Sequence, residues 1–224
     1  MDKKSSSPNN SFTSAMTLTE EGLTCIPKRY ILPPSLRPNG TLPNTCLPIV
    51  DLSLLQYPLL RPQIIQQLHL AYIAEGSQVI AVNCYPTCPE PDLALGLPPH
   101  TDYSLISIIL QNHQGLQIMD RNEKWYSVPV IEGGLIVLVG DHMEVLSNGR
   151  YKGVVHRATV NSEKKRLSIA SLHSLALGKK VRPVPALVDE QHTLSYKEGG
   201  FSDFLDFISG EDIVKLANII DFSR

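Results

Sequence analysis

The sequence is short of the features that mark several protein classes. Its longest uninterrupted apolar runs, Leu70–Ala74 and Leu135–Val139, reach five residues each, against the ~20 that a membrane helix requires. No membrane span is expected. The opening residues, MDKKSSSPNNSFTS, contain no apolar stretch of signal-peptide type. Four cysteines (Cys25, Cys46, Cys84 and Cys88) in 224 residues are too few for a disulfide scaffold. Cys84 and Cys88 also lack a nearby second Cys/His pair, which argues against structural zinc. A reduced, cytoplasmic protein is the expectation. Neither sign of charge dominates, since 20 Lys+Arg against 22 Asp+Glu leave a net charge of −2. That balance lacks the basic stripe of a nucleic-acid binder.

What remains is ordinary globular composition, 42% apolar and 19% charged, in a chain long enough for one sizeable core with appendages. The first 43 residues read as a tail: a polar run at Ser5–Ser14, then prolines at 27, 33, 34, 38 and 43. Leu47–Leu52 reads as a short strand, and Arg61–Ala71 as a short helix with Ile64, Ile65, Leu68 and Ala71 on one face. From Gln78 the period changes to two. Residues 78–84, 105–110, 115–120, 125–130, 135–139, 153–160 and 167–172 are short, often β-branched runs separated by turn residues, the pattern of an all-β sandwich or barrel. Asp120–Glu123 and the Asn148-Gly149 dipeptide read as hairpin turns, with one helical turn at 141–146 between them. After Lys180, residues 201–208 and 211–220 read as amphipathic helices.

Most of the seven histidines need no special account, but His100 and His156 have telling neighbours. In a strand, residues i and i+2 project from one face ~6.6 Å apart, so His100-Thr101-Asp102 at a strand end can present an imidazole and a carboxylate to one ion. Along 153–160, alternation puts Val154, His156, Ala158 and Val160 on one face, with His156 pointing into the core. A buried imidazole needs a partner, and a metal is one candidate. Two histidines and one carboxylate on one side of an ion match the facial arrangement of non-heme Fe(II) oxygenases. Arg166 and Ser168 also share a face, opposite Leu167 and Ile169. If that face is interior, the guanidinium requires an anion, and its fork suits a carboxylate. If it is exterior, Arg166 pairs with Glu163 in a surface turn.

Taken together, His100-Thr101-Asp102, His156 and Arg166-Leu167-Ser168 resemble the H-x-D…H…R-x-S signature of the 2-oxoglutarate- and Fe(II)-dependent dioxygenases. Residues 82–91 (VNCYPTCPEP) are similar to the N-x-Y-P-x-C-P-x-P segment of the family's plant branch. Gly140-Asp141-His142 and SNGRYK at 147–152 match its G-D…SNG-x-Y-K stretch. The resemblance is strongest to flavanone 3-hydroxylase-like members. It implies a mainly β fold: a double-stranded β-helix (jelly roll) at 76–178, a remnant of the N-terminal region at 44–75, and a C-terminal helical extension at 179–224. It also implies Fe(II) held by His100, Asp102 and His156. 2-Oxoglutarate would meet Arg166 and Ser168 through its distal carboxylate, with Tyr85 and Asn83 completing the pocket. Ascorbate serves such enzymes as an iron reductant. The implied activity couples oxidative decarboxylation of 2-oxoglutarate to hydroxylation or desaturation of a small, mainly apolar plant metabolite, flavonoid- or hormone-like. The partners are that substrate and O2, with no nucleic acid and no membrane.

The sequence departs from the family in two places. Family members place several helices and a GFF-x-V-x-NHG-like strand between the LPIVDLS-like strand and the N-x-Y-P segment. Here only 83 − 51 = 32 positions separate Asp51 from Asn83, which reads as an internal deletion that uncovers one apolar face of the barrel. Flavonoid-acting relatives tend to carry an aromatic residue four positions after the motif serine, where this chain has Leu172. Two other readings stand beside the oxygenase: a truncated, catalytically impaired member acting as a binding or regulatory protein, and a non-oxidative metal-binding barrel.

Overall fold

The computed structural model describes residues 20, 22, 24–38, 42–44, 76–176 and 178–200. The expected strand at 47–52, the helix at 61–71, His69, and the helices at 201–208 and 211–220 lie outside the described residues. Ten strands follow in chain order: β1 (Ser77–Tyr85), β2 (Leu95–His100), β3 (Ile106–Gln111), β4 (Leu116–Met119), β5 (Trp125–Ser127), β6 (Ile136–Val139), β7 (His156–Thr159), β8 (Arg166–Ser174), β9 (Lys180–Val181) and β10 (Gly199–Gly200). One helix, α1 (Asp141–Leu146), separates β6 from β7.

Two four-stranded antiparallel sheets face each other, in the orders β1-β8-β3-β6 and β2-β7-β4-β5, and β9 pairs with β10. From β1 to β8 the chain changes sheet at every step except the β4–β5 hairpin. This winding makes the sandwich a jelly roll. The seven runs of period two all become strands, because each can bury one face between the sheets and leave the other to solvent. Ile109 and Leu138 meet Leu116 and Val128 in the core, with Ile118, Ile136, Val154 and Ala170 packed around them.

The second strand was not legible, and the reason lies in its composition. LGLPPH carries one glycine and two prolines. Proline cannot donate to a ladder, so such a segment survives only at a sheet edge or a bulge. β2 is an edge strand, and its pairing with β7 slips between Leu95 and Leu97 and again before His100. The Asn148-Gly149 dipeptide is not a hairpin turn. Both residues have positive φ, 51° and 79°, but they end α1: Gly149 N–H donates to the Glu144 carbonyl at 2.8 Å and Asn148 N–H to that of Val145 at 3.0 Å. Left-handed backbone at successive residues serves a helix C-cap as well as a type I′ turn. The other expected turn does join β4 to β5, with Glu123 at φ 60°.

Parts of the proline-rich N-terminal segment lie on the sandwich. Ile26 N–H donates to the Glu90 carboxylate at 2.8 Å, and Leu32 N–H to the Leu93 carbonyl at 2.9 Å. Farther on, Asn44 bridges to Ser127 at the β5 edge. The outer face of the β1-β8-β3-β6 sheet is apolar and open: Ile80 is 61% exposed, Val82 69% and Val137 60%, with Leu110, Leu167 and Ile169 beside them.

Candidate metal centre

His100 ends β2 and His156 begins β7, and the two are direct cross-strand partners. Opposite residues in an antiparallel pair bring their Cβ atoms to ~4.5–5.5 Å, and here the imidazole centroids are 4.2 Å apart. Asp102 stands two residues beyond, in the loop to β3. Its Oδ1 lies 3.7 Å from Nε2 of each histidine, and the three ligand atoms all fall within 4.8 Å of one another. Donors ~2.0–2.2 Å from an ion sit roughly 3 Å apart when cis, so side-chain shifts on the order of an ångström would close this set on a metal.

The remaining ring nitrogens fix the tautomers. Nδ1–H of His100 donates to the Pro98 carbonyl at 2.8 Å, and Nδ1–H of His156 to the Val154 carbonyl at 2.9 Å. Each Nε2 is thereby left with its lone pair toward Asp102, the arrangement metal-ligating histidines adopt. Burial above all, and then the His100 ring beside it, pushes His156 below the usual imidazole range, against the pull of Asp102. A neutral imidazole is the form that binds a metal.

Helix α1 grips both ligand-bearing segments. Asp141 N–H donates to the Asp102 carbonyl at 2.8 Å, and the Thr101 hydroxyl donates to Oδ2 of Asp141 at 3.0 Å. Three residues on, the buried Glu144 carboxylate accepts from Gly153 N–H at 2.7 Å, Tyr196 Oη–H at 2.7 Å and Lys152 Nζ at 3.1 Å. It thus holds the turn that leads to His156.

Asp141 and its neighbour titrate in opposition. Burial, with Glu144 and Asp102 nearby, pushes Asp141 up from 3.8 to about 7, although the Thr101 bond works the other way. Burial pushes His142 down from 6.5 to about 4. Between pH ~4 and ~7 the folded chain holds a proton on Asp141 that the unfolded chain has released, so this residue makes stability fall as pH rises. Between ~4 and ~6.5 the unfolded chain protonates His142 and the folded chain does not, so this residue makes stability rise with pH. The two slopes oppose. In metal-free protein, Asp141→Asn is expected to unmask the His142 slope, losing on the order of 3 kcal/mol between pH 6.5 and 4. His142→Gln is expected to gain a similar amount over that interval, and urea midpoints across pH read both.

The second half of the site comes from the other sheet. Arg166 opens β8 and is only 2% exposed, while Leu167 and Ile169 face outward. The interior reading of this strand holds, and no pairing of Arg166 with Glu163 forms. Tyr85 is the register partner of Arg166, and Asn83 is that of Ser168. The guanidinium stacks 4.9 Å above the Tyr85 ring centroid. Its Nε–H donates to the His113 carbonyl at 3.2 Å and its Nη2–H to Oε1 of Gln111 at 2.9 Å. Nη1 is buried with no acceptor. Among the described residues no carboxylate pairs with Arg166, and burial lowers its proton affinity. A buried cation in this state calls for an anion that the described residues do not supply.

All seven residues singled out in the sequence line one cavity of about 150 Å³, together with Leu97 and Leu172. Pockets for drug-sized ligands run from ~300 Å³ upward, so this chamber suits a small acid, with any larger molecule at its mouth. Sequence reasoning missed Gln111 and Gly115. A Cβ on Gly115 would stand 2.6 Å from Cδ of Arg166 and 2.9 Å from its Nε. Gly115→Ala is therefore expected to displace the guanidinium and weaken binding of a dicarboxylate about tenfold or more, given ~1–3 kcal/mol for overpacking. Metal affinity should stay unchanged. Equal losses for both ligands in calorimetry would instead mean general damage.

Comparison with known proteins agrees with this geometry. Residues 76–174 match the family profile described as the 2OG-Fe(II) oxygenase superfamily. Flavanone 3-dioxygenase 3 of Oryza sativa subsp. japonica is 44% identical over 151 residues, which cover 67% of this chain and 46% of that protein. The 2-oxoglutarate-dependent dioxygenase 21, chloroplastic, of the same organism is 46% identical over 136 residues, covering 59% and 40%. The chain thus spans less than half the length of these curated relatives. The crystal structure of JOX2 in complex with 2OG, Fe and JA superposes with a TM-score of 0.72 at 21% identity, over 88% of this chain and 94% of that one. That match supports the jelly-roll fold.

Proposed function

Residues 76–174 belong to the 2OG-Fe(II) oxygenase superfamily, and from that premise we propose that the chain is a 2-oxoglutarate- and Fe(II)-dependent dioxygenase. Its substrate in this reading is a small, mainly apolar plant metabolite, flavonoid- or hormone-like. The observation that carries the proposal is a single small cavity lined both by a His-Asp-His donor set and by a buried arginine without an anion. His100, Asp102 and His156 would hold Fe(II). Bound there, iron supplies the activation of O2, with one oxygen atom ending in succinate and the other in the hydroxylated product or in water.

The chain's own residues do the rest. Arg166 and Ser168 bind the distal carboxylate, and Tyr85 packs beneath the guanidinium and keeps it aimed. Asn83 adds a polar edge on the same row of the sheet. The two Nδ1–H bonds hold the imidazoles in the ligating tautomer without a charge change. Leu97 and Leu172 give the cavity its apolar share, which favours a C–H-rich substrate over a charged one. No helix among the described residues is long and apolar enough to cross a membrane. The cytosol is the proposed compartment, with the chloroplast as the alternative that one relative's name raises.

The test is succinate release with Fe(II), 2-oxoglutarate, ascorbate and O2, with and without candidate flavanones. Succinate that requires both iron and O2, and disappears in His100→Ala, supports the oxygenase. Iron binding without succinate under any condition would overturn it and leave a non-oxidative metal-binding barrel. The open apolar face of the β1-β8-β3-β6 sheet favours one second reading, a family member that binds a partner rather than turning over. Failure to bind iron at all would support that reading.

A further inference from the structure

Gln111 ends β3 at an inward position, in step with Ser107 and Ile109 and opposite Ser168 across the strand pair. Asn83, Ser168 and Gln111 thus form one row across β1, β8 and β3. The amide is buried, and its orientation is determined: Oε1 accepts from Nη2 of Arg166 at 2.9 Å. A flipped amide would set donor against donor. With Oε1 committed, Nε2 is left buried without an acceptor, as is Nη1 of Arg166. Both orphaned atoms are donors, and they sit on two side chains that are bonded to each other. Buried polar groups in native proteins are nearly always satisfied. Two such donors together therefore indicate an acceptor that the described residues do not supply.

We propose that Gln111 is a further co-substrate-binding residue, holding Arg166 through its carbonyl and donating from Nε2 to the same distal carboxylate. This rests on the oxygenase reading above and adds a residue to it. The amide explains how one arginine distinguishes a dicarboxylate from a 2-oxo acid with an apolar tail. The tail would leave two donors buried and unanswered, and sites built on hydrogen bonds reject such analogues strongly.

The experiment compares 2-oxoglutarate with 2-oxobutyrate, which keeps the metal-chelating end and lacks the distal carboxylate. Both are titrated calorimetrically into the full chain loaded with Fe(II) under anaerobic conditions. Wild type should prefer 2-oxoglutarate at least tenfold, and absence of that preference would sink the reading of Arg166 itself. If wild type shows it, Gln111→Met should lose about tenfold on 2-oxoglutarate and less than twofold on 2-oxobutyrate. Gln111→Glu keeps the acceptor for Arg166, removes the donor and sets a carboxylate against a carboxylate, so its loss should exceed that of Gln111→Met. Undiminished 2-oxoglutarate affinity in Gln111→Glu would overturn the proposal, as would equal losses for the two acids in Gln111→Met. Should Gln111→Met fail to fold, the polar near-isostere Gln111→Glu decides alone.

Discussion

His156→Ala is expected to weaken metal binding by about 10²–10³-fold and to reduce iron-dependent succinate formation to background. Apparent binding energies of ~10–16 kcal/mol shared among four ligands imply roughly 2.5–4 kcal/mol for each, and 1.4 kcal/mol is a factor of ten. His156 is the most enclosed of the three donors, with its Nδ1–H already committed to the Val154 carbonyl. No nearby described side chain stands ready to replace it, since Asp102 and His100 are already in the set. Cobalt(II) titrations monitored by absorption give the affinity without turnover. An affinity within threefold of wild type would show that the triad is not the metal site.

Arg166→Leu should separate the two halves of the site. Loss of two charge-assisted bonds at ~1.5–3 kcal/mol each predicts about 10²–10⁴-fold weaker 2-oxoglutarate. Iron affinity should move by less than threefold, because the guanidinium bonds to the His113 carbonyl and Gln111 and to none of the three donors. The ligand-free variant should be no less stable than wild type. The substitution removes a buried charge that lacks a carboxylate partner, and the desolvation cost so relieved offsets the bonds lost to Gln111 and the His113 carbonyl. A collapse of iron affinity together with the melting temperature would instead make Arg166 a structural residue.

These residues were legible because each sits where a strand's period of two reports its direction. His156 shares a face with Val154 and Ala158, and Arg166 with Ser168, so an inward position could be read from neighbours in sequence. The seven alternating runs were legible for the same reason. Other features depend on contacts between distant positions, which no local pattern records. The hold of α1 on the donors joins Thr101 to Asp141 and Glu144 to Gly153. β2 hid behind Pro98 and Pro99, residues that argue against a strand anywhere except an edge. Asn148-Gly149 misled because its left-handed backbone closes a helix here. Gln111 did leave a trace, a polar residue at the third inward position of β3, but its significance lies in a donor without an acceptor. Only three dimensions reveal that.

The division of labour between the two sheets has a consequence for ligand length. The metal donors on strands, His100 and His156, belong to one leaf of the sandwich, whereas Arg166, Ser168, Tyr85 and Asn83 belong to the other. A diacid anchored at both ends would therefore work as a caliper, its carbon count matched to a gap of ~10 Å between packed sheets. The aliphatic residues that set this gap, Ile109, Leu116 and Leu138 among them, would then govern which chain length fits. Thinning or thickening the hydrophobic filling would retune the choice between shorter and longer diacids without altering a metal donor or the arginine.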